Sequence, residues 1–324
     1  MYVERLVAGL RARGVDARLQ WFDHKFEFVP GLLRRVRAPQ ETDLIHANSW
    51  NGFAFARDGI PLVVTAFHCV FRCGYPEWKT LAQRMYHDGL IGRYEQWSFA
   101  RASSVVAMTP SAAADFKDRF SLPPLSVIHG WVDANVFCEG AARKFGEGGI
   151  RILIVGNNSK RKGTDLLPEL RARLDSSFLV TVVGGLRGQH GDVMNGIIHK
   201  SGLSVVELVN EYQTADLVIS LSRHEGFGYS ALEAMACAKP VVAFDVTGIR
   251  DVVVNGVTGV LVPPESVNEL ARACEKIAEQ PTVAMKMGAN GRKLALTKFR
   301  EEDALVAYIK GYHQLLCEMR REAA

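Results

Sequence analysis

At 324 residues the chain is long enough for about two domains of roughly 150 residues, each burying its own core. Apolar residues make up 48% and charged residues 23%, which excludes long disordered tracts and fibrous repeats. The net charge of +4 favours the approach of anionic ligands and demands no nucleic acid partner.

The first elements follow from apolar spacing. Residues 2–13 read as an amphipathic helix on Val3, Leu6, Val7 and Leu10, ended by Gly14, with a strand expected near residues 17–22. Residues 25–37 combine Phe26, Phe28, Val29, Leu32 and Leu33 with Arg34, Arg35 and Arg37. An ordinary helix between two strands is the plainer reading, and a peripheral contact with an anionic membrane surface is the other. Short runs rich in Val and Ile then predict buried parallel strands at 43–46, 61–65, 104–107 and 125–128. A second series is expected at 151–155, 179–183, 217–220, 240–244 and 259–262.

Strands alternating with helices imply right-handed βαβ crossovers, and two series imply two sheets, hence an α/β chain of two doubly wound, Rossmann-like domains. The break falls at residues 139–149, where Gly140, Gly146, Gly148 and Gly149 interrupt any periodicity; a linker is expected, with a long surface loop as the alternative. The division is therefore 1–138, 139–149, 150–300 and a closing amphipathic helix over 301–324, built on Leu305, Ile309, Tyr312, Leu315 and Leu316 and expected to return to the first domain. The six cysteines, at 69, 73, 138, 237, 274 and 317, form no CxxC pair, which argues against a zinc site or a disulfide framework and for a reducing, cytoplasmic compartment. Cys69 and Cys73 are expected as structural thiols. No run approaches the roughly 18 apolar residues of a membrane-spanning helix, and Glu4 and Arg5 stand where a signal peptide would be apolar.

The strongest chemical signal is Ser222-Arg223-His224-Glu225-Gly226-Phe227-Gly228-Tyr229-Ser230-Ala231-Leu232-Glu233-Ala234-Met235-Ala236. It follows the expected strand 217–220, so Glu225 stands at a carboxyl strand end, where open α/β sheets bind ligands. Gly226 and Gly228 allow close backbone approach, the helix from Ser230 directs free N–H groups toward an anion, and Glu233 is suited to accept hydrogen bonds from sugar hydroxyls. A second anion site is expected in Gly156-Asn157-Asn158-Ser159-Lys160-Arg161-Lys162-Gly163-Thr164-Asp165, between a strand and a helix over 165–174. At an effective dielectric of about 20, a unit charge about 4 Å from a phosphate contributes roughly 4 kcal/mol, against about 0.3 to 1 for a helix dipole. The basic side chains should therefore dominate.

Taken in order, these motifs resemble the GT-B glycosyltransferases, specifically the retaining glycosyltransferase family 4. The resemblance also takes in Asp43 to Asn48, Thr65-Ala66-Phe67-His68, Val127 to Phe137, Lys162-Gly163, Lys239 to Ala243, Gly248 to Val253 and Asn255 to Pro263. It implies transfer of a sugar from a UDP- or GDP-sugar donor to a carbohydrate or lipid-linked acceptor, with retention, no cofactor and no metal. Arg161 and Lys162 would hold the diphosphate, with Gly156 beside them. Glu225 with Gly226, Phe227, Gly228 and Tyr229 would hold the donor sugar, Glu233 the ribose, and His68 would line the donor sugar from the first domain. Glu225, His68 and Lys162 are the expected catalytic residues. The second domain would bind the donor and the first the acceptor, in glycan, lipopolysaccharide or glycolipid synthesis. Relatives usually carry an Arg where Asn157 stands, so Arg161 is taken as its substitute. Val3-Glu4-Arg5 matches a helix that relatives place after a first strand and a Gly-Gly loop, so that strand is expected to be missing, through an upstream start or a shortened relative.

Weaker signals are Trp78, Arg84, Tyr86, Arg93, Tyr94 and Trp97, which either shape an acceptor cleft or cover the sheet, and Gly184-Gly185, a turn beside the nucleotide. Two other functions stay open: a nucleotide-sugar-binding protein without catalysis, separated by binding without sugar release, and a GT-B nucleotide-sugar epimerase, which would need no acceptor. The absence of a GxGxxG after an early strand argues against a nicotinamide dehydrogenase.

Overall fold

The computed structural model describes residues 2–71, 79–141, 143–184, 193–194 and 196–322. The chain divides into two units, Met1–Gly130 with Glu301–Ala324, and Trp131–Arg300.

The first unit opens on helix α1 (Tyr2–Arg11), closed by Gly14 at φ +81°. The strand expected near residues 17–22 is not formed. Its alternate side chains are half-buried, but Trp21 is exposed and the segment pairs with no strand among the described residues. Alternation supplied the pattern of a strand; a ladder partner is a long-range matter that alternation does not specify. The helix expected over residues 25–37 is replaced by two short 3₁₀ turns, His24–Glu27 and Pro30–Arg35. Pro30 has no N–H to donate and disfavours the helical region at Val29, so no continuous helix can run through them.

Strands β1 (Ile45–Asn48), β2 (Leu62–Ala66), β3 (Ser104–Ala107) and β4 (Leu125–Val127) form a parallel sheet in the order β1-β2-β3-β4. Every residue of β2 is buried, as a strand covered on both faces requires. Helices α2 (Leu81–Tyr86), α3 (Gly92–Arg101) and α4 (Pro110–Arg119) provide the crossovers. Phe99, Phe116 and Val105 pack with Leu62 and Val64 in the core.

The closing helix Glu301–Glu322 belongs to this unit. Gly9 lies directly against Leu305, and the hydroxyls of Tyr2 and Tyr308 share a hydrogen bond. His46 bridges Tyr312 Oη (2.7 Å, from Nδ1) and Thr65 Oγ1 (2.6 Å, from Nε2). Burial holds this imidazole down at about 4, so it is neutral in the fold and must gain a proton on unfolding below its ordinary value. The associated stability is complete above about pH 6.5 and is lost as pH falls toward about 4, by roughly 3 kcal/mol. Thermal melts across that window should show a shallower acid decline in His46→Gln than in the wild type; equal slopes would remove His46 as the cause.

The second unit contains β5 (Ile150–Val155), helix α5 (Leu167–Arg173), β6 (Phe178–Gly184), β7 (Val193–Met194), β8 (Ile197–Ser201), α6 (Val205–Thr214), β9 (Leu217–Ser220), α7 (Tyr229–Ala236), β10 (Val241–Phe244), α8 (Ile249–Val252), β11 (Gly259–Val262), α9 (Val267–Ala278) and α10 (Pro281–Lys298), with the closing helix following as α11. The sheet order is β11-β10-β9-β5-β6-β8-β7, parallel except for the β7–β8 pair. Strand order therefore reverses between β5 and β9, and the loops after these two strands flank that switch point. Residues 139–149, expected as a linker, are tied to this unit. Arg143 pairs with buried Asp216, the Gly146 N–H donates to Asp216 Oδ1 at 3.2 Å, and Gln213 Nε2 donates to the Cys138 carbonyl at 3.0 Å. Composition revealed the glycines but not the buried carboxylate that fastens them.

Candidate functional site

The two loops singled out in the sequence meet at the switch point. After β5, Ser159 caps a 3₁₀ turn, Lys160–Lys162, that ends at Gly163 with φ +69°. A Cβ at Gly163 would lie 2.1 Å from the Leu221 carbonyl oxygen, so only glycine lets this loop press against the start of the 221–228 segment. The Arg223 N–H donates to the Arg161 carbonyl at 2.9 Å, and Arg161 Nη1 donates to the His224 carbonyl at 3.1 Å.

Buried Arg223 fastens the same junction. It forms a bidentate pair with Asp165 (2.6 and 2.9 Å) and donates to the Lys160 carbonyl at 2.5 Å. This clamp was not visible in the sequence, although both residues lie inside the quoted motifs. The Thr247 and Gly248 backbone supports the bend from below. The Glu225 N–H donates to the Thr247 carbonyl at 3.2 Å, and a Cβ at Gly248, whose φ is +81°, would lie 2.7 Å from the Glu225 carbonyl oxygen.

Glu225 is 8% exposed and points at the cationic loop. Its Oε1 pairs with Lys162 Nζ and accepts from Ser222 Oγ at 2.7 Å, while Oε2 lies 3.3 Å from Arg161 Nη1. Burial by itself would raise this carboxyl. The charges of Lys162 and Arg161, with hydrogen bonds from Lys162 and Ser222, outweigh it and hold the group at about 2. Glu225 is thus a fixed anion at neutral pH, facing two cations that a phosphate would also attract.

Downstream, Phe227 is buried with its ring 4.9 Å from Tyr229 and 5.7 Å from Phe299. Gly228, at φ +95°, precedes α7 as its N-cap, with no side-chain cap over the first turn. The N-terminal end of α7, where the helix dipole is positive, therefore faces the bend. Glu233 is buried on α7 and accepts from the Tyr212 hydroxyl at 2.9 Å; burial and the adjacent carboxylate push that phenol well above its ordinary range. Gly156 directly follows β5 with the Lys162 side chain against its Cα; a Cβ there would lie 3.3 Å from Lys162 Cδ. Beside it opens a cavity of about 200 Å³ between the ends of β5, β6 and β8, lined by Gly156, Asn157, Gly184, Gly202, Leu203 and Leu208, among others. Gly184 lines it; its neighbour Gly185 lies outside the described residues.

His68 belongs to the first unit, just past the carboxyl end of β2, half-buried with its ring 6.4 Å from that of Trp50. Tyr94 stacks on Phe53 at 5.4 Å and Trp97 meets the same ring edge-on, so these two cover the core. Cys69 is buried, its thiol pushed up to about 12 by that burial. Cys73 and Trp78 lie outside the described residues. No described helix is long and apolar enough to cross a membrane.

Comparison with known proteins shows the family and the fold. Residues 8–136 match the family model for glycosyltransferase family 4, and residues 141–294 match the model for glycosyl transferases group 1. The chain is 31% identical over 303 residues to a D-inositol 3-phosphate glycosyltransferase of Kribbella flavida, covering 81% of this chain and 69% of the relative. It spans about two thirds of the length of such relatives. Sucrose-phosphate synthase from Thermosynechococcus elongatus superposes with a TM-score of 0.82 at 21% identity, over 98% of this chain and 93% of that one. HepE of Anabaena, solved in complex with UDP-glucose, gives 0.69 at 21% identity, over 85% and 79%. The chain belongs to the group 1 glycosyltransferases of family 4 and has their GT-B type of fold.

Proposed function

We propose that the protein transfers a sugar from a nucleotide diphosphate sugar to a hydroxyl acceptor with retention at the anomeric carbon, in glycan, lipopolysaccharide or glycolipid synthesis. The observation that carries this reading is the convergence of Arg161 and Lys162 with the Glu225 bend at the switch point of the second unit. The diphosphate would lie on the Arg161–Lys162 side, under the first turn of α7, and the base would enter the neighbouring cavity. Glu233 would take the ribose hydroxyls, and Glu225 with the backbone of Gly226 and Phe227 would take the donor sugar.

As the glycosidic bond breaks, Lys162 and Arg161 stabilise the charge gathering on the leaving phosphate. That phosphate, on the same face, accepts the acceptor's hydroxyl proton. UDP is the favoured carrier, because a protein of similar fold holds UDP-glucose. The acceptor is a carbohydrate or polyol, lipid-linked in one version of the reading. In that version the exposed Phe28, Val29 and Leu32, beside Arg34 and Arg35, would touch an anionic membrane surface from the cytoplasmic side.

The test is thermal-shift binding with UDP-glucose and GDP-mannose, followed by incubation with D-inositol 3-phosphate and simple glucosides. At a donor concentration 100 times its Kd, stabilisation should be about 2.7 kcal/mol. Transfer should release UDP and leave an axial linkage readable by NMR. Binding without release or transfer would favour the non-catalytic reading, an altered sugar without acceptor the epimerase, and no binding to either donor would overturn all three.

A further inference from the structure

In the first unit, Glu95 of α3 is wholly buried and belongs to none of the loops described above. Its Oε1 accepts from Ser49 Oγ at 2.7 Å, and the Trp50 side chain is near enough to favour the ionised carboxyl. Its Oε2 is buried and meets no hydrogen-bond partner among the described residues. Ser49 and Trp50 begin the turn after β1, where Asn48 Oδ1 accepts from the N–H groups of Trp50 (2.9 Å) and Asn51 (3.2 Å). The Trp50 ring stands between two imidazoles, 6.4 Å from His68 and 6.2 Å from His87. Trp50, His68 and His87 are each half-buried, and the first two lie past the carboxyl ends of β1 and β2, the side of an open parallel sheet that receives ligands.

We propose that Glu95 is a positioning residue: it fixes the Ser49–Trp50 turn so that the indole, flanked by His68 and His87, offers a flat face to a sugar or polyol ring of the acceptor. The inference rests on the transferase reading for the identity of the ring. An indole suits this task because it presents a large rigid apolar surface at small entropic cost. Holding it from beneath by a buried carboxyl, rather than by a surface group, keeps the hydrogen bonds out of competition with water.

The groups facing Glu95 are Ser49 and Trp50 from the turn after β1, Cys69 after β2 and Arg119 of α4. Burial raises its carboxyl to about 8, against the hydrogen bond from Ser49, the nearness of Trp50 and the charge of Arg119, which lower it. Up to about that pH the group is neutral. Above it, ionisation places a charge in the core beside the indole and changes the field that Trp50 experiences.

The experiment has two arms on the full chain. Tryptophan emission, followed through about pH 8, should change in the wild type and stay flat in Glu95→Gln and in Trp50→Phe; the same transition persisting in either variant overturns the proposal. In transfer assays with UDP-glucose and D-inositol 3-phosphate, Glu95→Ala should raise the acceptor KM about ten-fold, the scale of one lost buried hydrogen-bonding partner, with the donor KM within about two-fold. Glu95→Gln should restore most of that loss below pH 8 and lose the alkaline limb. Equal changes in both KM values, or no rescue by Gln, overturn it. If no donor and acceptor react at all, the transferase reading falls, and the emission arm still decides whether Glu95 holds Trp50.

Discussion

Lys162→Ala is expected to lower turnover by about 10²- to 10³-fold, the scale for removing one preorganised charge from a site where an anion develops. The side chain is only 18% exposed, runs along Gly156, and ends on Glu225. Its stem is therefore placed before any donor arrives, and only the ammonium has to turn from Glu225 to the diphosphate. Arg161 remains in the variant, and UDP affinity should weaken less than turnover falls. Single-turnover kinetics with UDP-glucose, beside a UDP binding isotherm, separate the two quantities; unchanged turnover would remove Lys162 from the diphosphate site.

Glu225→Ala should lower turnover on the same scale, with the opposite signature in binding. A carboxylate held at about 2 is an anion throughout the working range, so it competes with phosphate for Lys162 and Arg161. Without it, both cations are released to the diphosphate, and UDP should bind no more weakly than to the wild type while sugar transfer collapses. The variant should also melt earlier, since Lys162 then sits largely buried without its partner. Because the pair acts as a unit, the double variant Lys162→Ala, Glu225→Ala should lose little more activity than either single one. Additive losses would mean that the two side chains serve different steps, and weakened UDP binding in Glu225→Ala would contradict the competition.

The sequence made the second unit legible because its strands are short, β-branched and buried on both faces, as β9 and β10 show along their whole length. Its site was legible for a related reason: glycines, a carboxylate and a run of cations are local signals that already sit at the ends of those strands. Arg223, Thr247 and Gly248 were not assigned roles, because their partners are far away in sequence. Arg223 reaches Asp165 across the junction, and Gly248 matters only because the Glu225 bend rests on it. In the first unit, alternation over residues 17–22 promised a strand that no neighbour completes among the described residues, and Pro30 broke a helix whose apolar spacing looked continuous. The buried Glu95 carries no sequence signature at all: on a helix, a lone Glu reads as a solvated face until the fold covers it.

The attachment of α11 to the first unit has a consequence for biosynthesis. Leu305, Tyr308 and Tyr312 complete the packing around Gly9, Tyr2 and His46, yet they are translated only after the whole of Trp131–Arg300. The first unit therefore cannot complete this packing until the whole of the second has been made. Until then the face that carries Tyr2, Gly9 and His46 lacks its cover, and transiently exposed apolar surface of this kind favours aggregation or chaperone binding.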